Sequence, residues 1–306
     1  MNFVSVPAIH PASAHVGAKF RTLDEEIRQG ATRIVAGNDA EAVHDFRVSI
    51  RQLRTLLKLS RPLYGRFHAD AVRGSFTAMH RATGELRDEE ALEETVAALS
   101  IQHGAFEAWQ RRRAARARGL RRAVAARVSS SDLAHAHDML QAILILPVHP
   151  KRERDLMAFA QRQVETALAE AERLSRRQTD DSEELHQLRI ACKQLRYTVE
   201  FFEDVLPEHL RALRKPAVKL QKVLGDVHDL DVAHVVMQRQ HGLPLTLRNR
   251  IARAIFARRA EKLATFESLR APEPAPGPPP GGASDENAAK RVGGSSQGSS
   301  QVSARP

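Results

Sequence analysis

Two segments of eleven residues, HDFRVSIRQLR (44–54) and HQLRIACKQLR (186–196), align without a gap at an offset of 142 residues. The alignment pairs His44 with His186, Arg47 with Arg189, Arg51 with Lys193 and Arg54 with Arg196. An α-helix turns by ~100° per residue, so each set of four falls within an arc of ~80° and makes one cationic stripe. Phe46, Ile50, Leu53 and Leu57 project from a neighbouring arc, which gives the helix a core face beside its cationic face. After one deletion the match resumes as GELRDEE (84–90) against GDVHDLD (225–231), and Gln102-His103-Gly104 recurs as Gln240-His241-Gly242. The chain is therefore an internal duplication, with helical halves of about 15–130 and 150–270. A solvated stripe has little reason to recur with its histidine, spacing and charge intact, so the two stripes are the candidate site.

Long segments rich in Ala, Leu, Glu and Arg, punctuated by Gly and Pro, predict an all-α protein. Helices are expected over about 15–36, 40–61, 66–83, 88–102, 105–128, 132–145, 152–178, 181–205, 208–224, 229–240 and 246–269. Asn38-Asp39 and Asp180-Asp181 are start signals for the two stripe helices. Residues 1–14 are expected to be flexible. From Ala271 the chain is rich in Pro, Gly and Ser and cannot form a core, so 271–306 is expected to be disordered. No purely apolar run is longer than the five residues Ala142 to Leu146, which excludes a membrane span. The N-terminus lacks a secretory pattern, and the single Cys192 cannot form an internal disulfide, so a cytoplasmic location is expected. Cys192 itself reads as a small core residue.

The formal net charge is +10. The last 36 residues are balanced, with Glu273, Asp285 and Glu286 against Lys290, Arg291 and Arg305, so the excess belongs to 1–270. Such a balance points to a polyanionic partner: nucleic acid, polyphosphate or an anionic surface. The densest basic run, residues 109–127, spreads its arginines around the helix and reads as a solvated surface.

The two H-x-x-R-x-x-x-[RK]-x-x-R helices, each followed about forty residues later by a Gly-x-x-[RH]-Asp turn, resemble the CHAD domain, the conserved histidine α-helical domain. The resemblance spans nearly the whole chain apart from the tail. It implies two four-helix bundles related by a pseudo-twofold axis, with basic helices facing a shared groove that binds inorganic polyphosphate. Two departures stand out: Arg87-Asp88 in the first half against His228-Asp229 in the second, and Lys58 against Glu200. Many such domains follow a triphosphate-tunnel domain with an E-x-E-x-K signature, and that motif is absent from this sequence. The resemblance implies a binding module with no catalytic residue, cofactor or metal, able to associate with polyphosphate granules.

Polyphosphate carries a negative charge on each phosphoryl unit and has no bases to read, so its receptor needs donors spaced along a line. A rise of ~1.5 Å per residue sets stripe residues ~4.5–6 Å apart, and His44 to Lys58 covers ~21 Å. Arginine suits this because its planar fork donates to two oxygens and stays charged, whereas Lys193 acts as a point charge. The candidate ligand residues are His44, Arg47, Arg51, Arg54 and Lys58 in the first half and His186, Arg189, Lys193 and Arg196 in the second. The third helix of each half adds Arg73 and Arg81, and Lys215, Lys219 and Lys222. Two readings of the histidines stay open, ligand contact and helix bridging. Asp88 and Asp229 should not touch an anion, but cap the following helix or hold stripe arginines. The main alternative is sequence-independent binding of nucleic acid, disfavoured because aromatic residues are only 5% of the chain and the first stripe has none to stack a base. A phosphoanhydride enzyme is disfavoured by the lack of an acidic cluster in the stripe. A scaffold that coats storage granules, tethered by the tail, is compatible with polyphosphate binding.

Overall fold

Local signals set where the helices begin and end. The computed structural model describes residues 10–270 except Ala40, Pro147 and Gln178; the expected disordered tail and the first nine residues of the expected flexible stretch lie outside the described residues. Helix α1 (Ala12–Ala36) starts three residues before its expected start, because Pro11 pairs with Asp155 and the Ala12 amide donates to the Arg154 carbonyl. It ends at Gly37, whose φ of +74° suits glycine. Before α2 (Ala42–Leu59), the Asp39 carboxylate accepts from the Glu41 amide at 2.9 Å and holds Arg33. A short α3 (Arg61–Tyr64), α4 (Arg66–Ala82), α5 (Gly84–Ala97), α6 (Gly104–Val128) and α7 (Ser131–Ile145) complete the first half.

The second half opens with a 3-10 turn (Pro150–Arg152) and α8 (Leu156–Ser175), capped by Asp155. Helix α9 (Ser182–Phe202) begins as expected, with Asp181 accepting from the amides of Glu183 and Glu184 at 3.0 Å each. A short α10 (Glu208–Arg211), α11 (Arg214–Gln238) and α12 (Leu245–Arg270) follow. The expected helices 208–224 and 229–240 are thus corrected to one long α11 after a single-turn α10. Gly225 does not end the helix, since an interior glycine costs only about 1 kcal/mol and packing outweighs it. The expected turn at 84–88 is likewise the first turn of α5, and the break falls at Thr83 instead. Asp88 and Asp229 therefore lie inside helices, and neither caps one.

Helices α2 and α9 pack against each other, with α1 on α2, α8 and α11 on α9, and α4 on α2. The expected core face of α2 is fully buried: Phe46, Ile50, Leu53 and Leu57 are each 0% exposed. Leu188, Cys192, Leu195 and Val199 form the buried face of α9. Burying such aliphatic and aromatic side chains contributes about 1.5–3 kcal/mol apiece. This central core draws on both sequence halves. A second core also joins the halves, setting Leu92, Val96, Phe106 and Trp109 of α5 and α6 against Leu230, Met237, Ile251 and Ile255 of α11 and α12. The Trp109 indole donates to Gln240 at 3.0 Å across that join. Among the described residues there is no β-strand, and no helix is long and apolar enough to cross a membrane.

Candidate anion-binding site

The packing of α2 on α9 brings the two stripes together. Arg51 Nε donates to the Tyr197 hydroxyl at 3.0 Å, and Lys58 Nζ donates to Gln194 Oε1 at 3.3 Å. Around this crossing the cations act on one another. Lys193 feels Arg51 and Arg54 from α2 and Arg189 and Arg196 from its own helix; burial first, and then these charges, pull its ammonium down to about 7. Burial likewise lowers Arg54, with Arg73, Arg81 and Arg51 adding repulsion, so the α4 arginines join the cluster. His44, by contrast, is exposed at the start of α2.

The two arginines that share a place in the repeat are used differently. Arg47 is 8% exposed and donates from Nη1 to the His80 carbonyl at 2.8 Å and to the Thr83 hydroxyl at 2.6 Å. It satisfies the open C-terminus of α4, where a cation is favoured by the free carbonyls. Burial lowers it to about 10, and it stays charged at neutral pH. Arg189 is half-buried, and its Nε is buried with no hydrogen-bond partner. It lies over Gly225, where a Cβ would stand 3.5 Å from Nε. Burial depresses Arg189, offset by Asp229; burial in turn raises the Asp229 carboxyl, which Arg189 and Arg87 pull back down. Asp229 thus acts on Arg189 through its charge, without an ion pair within 4 Å among the described residues. Asp88 is exposed and acts on Arg47 through its charge.

Arg196 lies over the Tyr197 ring, 4.7 Å from its centroid, and stands 3.4 Å from Glu200. Glu200 also takes Arg214 at 3.2 Å, so the departure from Lys58 places a carboxylate at that end of the second stripe. His186 stacks obliquely on His228, with ring centroids 4.5 Å apart and its Nδ1 buried and unpartnered. Burial and Arg189 hold His186 below its ordinary value and push His228 down to about 4. Lys215, Lys219 and Lys222 are exposed on α11, and none of them is among the principal charges acting on Arg189, Lys193 or His186.

One member of the cluster was not picked out from the sequence. His80 of α4 has a buried, unpartnered Nε2 and is pushed down to about 3 by burial and by Arg47, Arg54, Arg51 and Lys193. The signal was present, because His80 follows Arg73 by seven residues and so shares its face. Beyond the cluster, the basic run of α6 is less solvated than its pattern suggests. Arg113 pairs with the buried Glu89 and lies over Trp109, while Arg116 and Arg121 pair with acids of α5. Among the described residues no group of three His, Cys, Asp or Glu side chains could hold a metal ion.

Fold and cluster together define a class: a duplicated all-helical protein that sets two basic helices against each other. The CHAD domain family model matches residues 19–238, and the chain belongs to that family. Among solved structures it resembles the CHAD domain from the plant Ricinus communis, at 22% identity and a TM-score of 0.72, covering 88% of this chain and 93% of that one. It also resembles PptA from Streptomyces chartreusis, at 18% identity and a TM-score of 0.59, covering 85% of this chain and 97% of that one. Comparison with curated protein sequences found no match.

Proposed function

We propose that this chain binds inorganic polyphosphate through the cluster formed by α2, α4 and α9, acting as a binding module in the cytoplasm and able to associate with polyphosphate granules. The observation that carries the reading is a set of buried nitrogens without hydrogen-bond partners on the two stripe helices and α4: Nε of Arg54 and Arg189, Nδ1 of His186 and Nε2 of His80. A buried donor left unpaired costs about 1–3 kcal/mol, more when charged, and a line of phosphoryl oxygens satisfies several together. The nearby carboxylates are too few to do so, as Asp229 acts on Arg189 through its charge and Glu200 divides itself between Arg196 and Arg214. Nucleic acid fits less well. Tyr197, the aromatic side chain beside the cluster, is buried, with Arg196 over its ring and Arg51 on its hydroxyl, so it offers no free face for a base. A competition at physiological salt between long-chain polyphosphate and single-stranded DNA or RNA tests the assignment. Polyphosphate should displace the nucleic acid, and preference for nucleic acid would overturn the reading.

A further inference from the structure

Cationic groups crowded together away from water resist protonation until an anion reaches them. Two titratable side chains stand where the crowding is greatest. His80 faces Arg47, Arg51 and Arg54 of α2 and Lys193 of α9, while Arg73 and Arg81 of its own helix act on Arg54. Its Nε2 is buried without a partner. Lys193 stands one turn from both Arg189 and Arg196 on α9, at the crossing where Arg51 of α2 donates to Tyr197 at 3.0 Å, and the charges of Arg51, Arg54, Arg189 and Arg196 all act on it. The carboxylates stand at the edge of this ring: Asp88 and Glu90 of α5 act on Arg47, Asp229 of α11 acts on Arg189, and Glu200 pairs with Arg196. No carboxylate is among the principal charges acting on His80 or Lys193.

We propose that polyphosphate binding by this chain is coupled to proton uptake from solvent by Lys193 and His80, the two titratable side chains set among the cations where α2, α4 and α9 meet. The coupling rests on polyphosphate being the ligand. Each phosphoryl oxygen entering the ring replaces a repulsive field by an attractive one. The Lys193 ammonium then rises from about 7 toward its ordinary range, and the His80 imidazole rises from about 3. A group whose pKa is higher in the complex than in the free protein takes up a proton on binding between those two values. Affinity therefore falls as pH rises through that window, by up to about tenfold per pH unit for each proton. For Lys193 the window opens near pH 7 and extends upward; for His80 it opens near pH 3.

Titration calorimetry of the full chain with long-chain polyphosphate, in two buffers of different ionisation enthalpy, measures the uptake. At pH 8 a lysine with a free value near 7 is about one-tenth charged, so close to one proton, ~0.9, should be taken up there. The ligand's own end groups, with a second ionisation near pH 6, contribute little at that pH. Lys193→Arg keeps a cation but removes the titration, and should abolish most of the uptake at pH 8. His80→Gln, which places at 80 the residue found at the corresponding position 221, should lower the uptake measured near pH 5.5 by the share of His80, the rest coming from His186 and His228. Binding whose heat is the same in both buffers at pH 8 overturns the coupling and leaves the polyphosphate assignment standing, as does an uptake unchanged in both variants. No binding in either buffer overturns the ligand assignment and the coupling with it.

Discussion

Arg47 and Arg189 hold the same place in the repeat, yet one is turned inward and the other is left open. Their neighbours explain it. In the first half Thr83 interrupts the chain between α4 and α5, exposing carbonyl and hydroxyl oxygens that Arg47 takes at 2.8 and 2.6 Å. In the second half the corresponding residue is Leu224, buried in an unbroken α11, and Arg189 finds no such oxygen for its Nε. Duplication of a basic stripe thus does not duplicate its use. The first copy contributes Arg47 to the fold and Arg51 and Arg54 to the cluster, while the second keeps Arg189, Lys193 and Arg196 there, with Glu200 closing the far end.

If the two stripes form one site, a long chain that reaches both makes its second engagement intramolecular. Such linkage raises affinity by ~10²–10⁴ without a new kind of contact. Long-chain polyphosphate should therefore bind far more tightly than tripolyphosphate at equal phosphate concentration. The variant Arg189→Gln, Lys193→Gln, Arg196→Gln should lose most of that advantage. Calorimetric titration of both proteins with both ligands reads the ratio, and a variant that keeps the wild-type ratio would separate the stripes.

The next largest effect distinguishes the paired arginines. Arg47→Ala removes charge-assisted bonds worth roughly 1.5–3 kcal/mol of stability and should lower Tm by several degrees. Arg189→Ala should leave Tm close to wild type and weaken polyphosphate binding by about ten- to a hundredfold. Thermal melts and titrations of the two variants should give crossed results, and matching losses of stability would remove the distinction.

A smaller effect comes from the far end of the second stripe. Glu200→Lys installs the charge that Lys58 supplies in the first half and frees Arg196 and Arg214. Long-chain affinity should rise a fewfold, while the loss of these partly exposed pairs should cost about 1 kcal/mol of stability. Unchanged affinity would show that this end lies outside the ligand's path.

An effect of a different kind belongs to the free protein. Lys193 sits near 7 when folded and in the ordinary lysine range, near 10.4, when unfolded, so the unfolded chain binds more protons between those values. Its contribution to stability therefore increases as pH rises from about 7 toward 10, the reverse of its effect on ligand affinity. Denaturant unfolding at pH 7 and pH 9 of the wild type and Lys193→Met measures it, and identical pH dependence in the two would rule out Lys193 as the source.

Much of this arrangement was legible in the sequence because helical periodicity and repetition are local signals. The stripes, the buried face Phe46-Ile50-Leu53-Leu57 and the Asp181 cap all follow from residues a few positions apart. What was not legible depends on contacts across the chain. The inward turn of Arg47 needs an oxygen on Thr83, 36 residues away. Arg113 looked like one of many surface arginines, but its partner Glu89 lies buried on another helix. The continuity of α11 through Gly225 was hidden because a glycine marks a break only when packing does not oppose it.

The central claim is that position within the cluster, and not net charge, decides binding. Calorimetric titration of long-chain polyphosphate into two double variants tests it directly, since each removes two arginines: Arg54→Ala with Arg196→Ala in the cluster, and Arg111→Ala with Arg112→Ala, both exposed on α6. The cluster variant should lose at least about tenfold more affinity than the α6 variant, because its contacts are desolvated and charge-assisted. Equal losses in two folded variants would contradict the account and leave only the overall positive charge to explain binding.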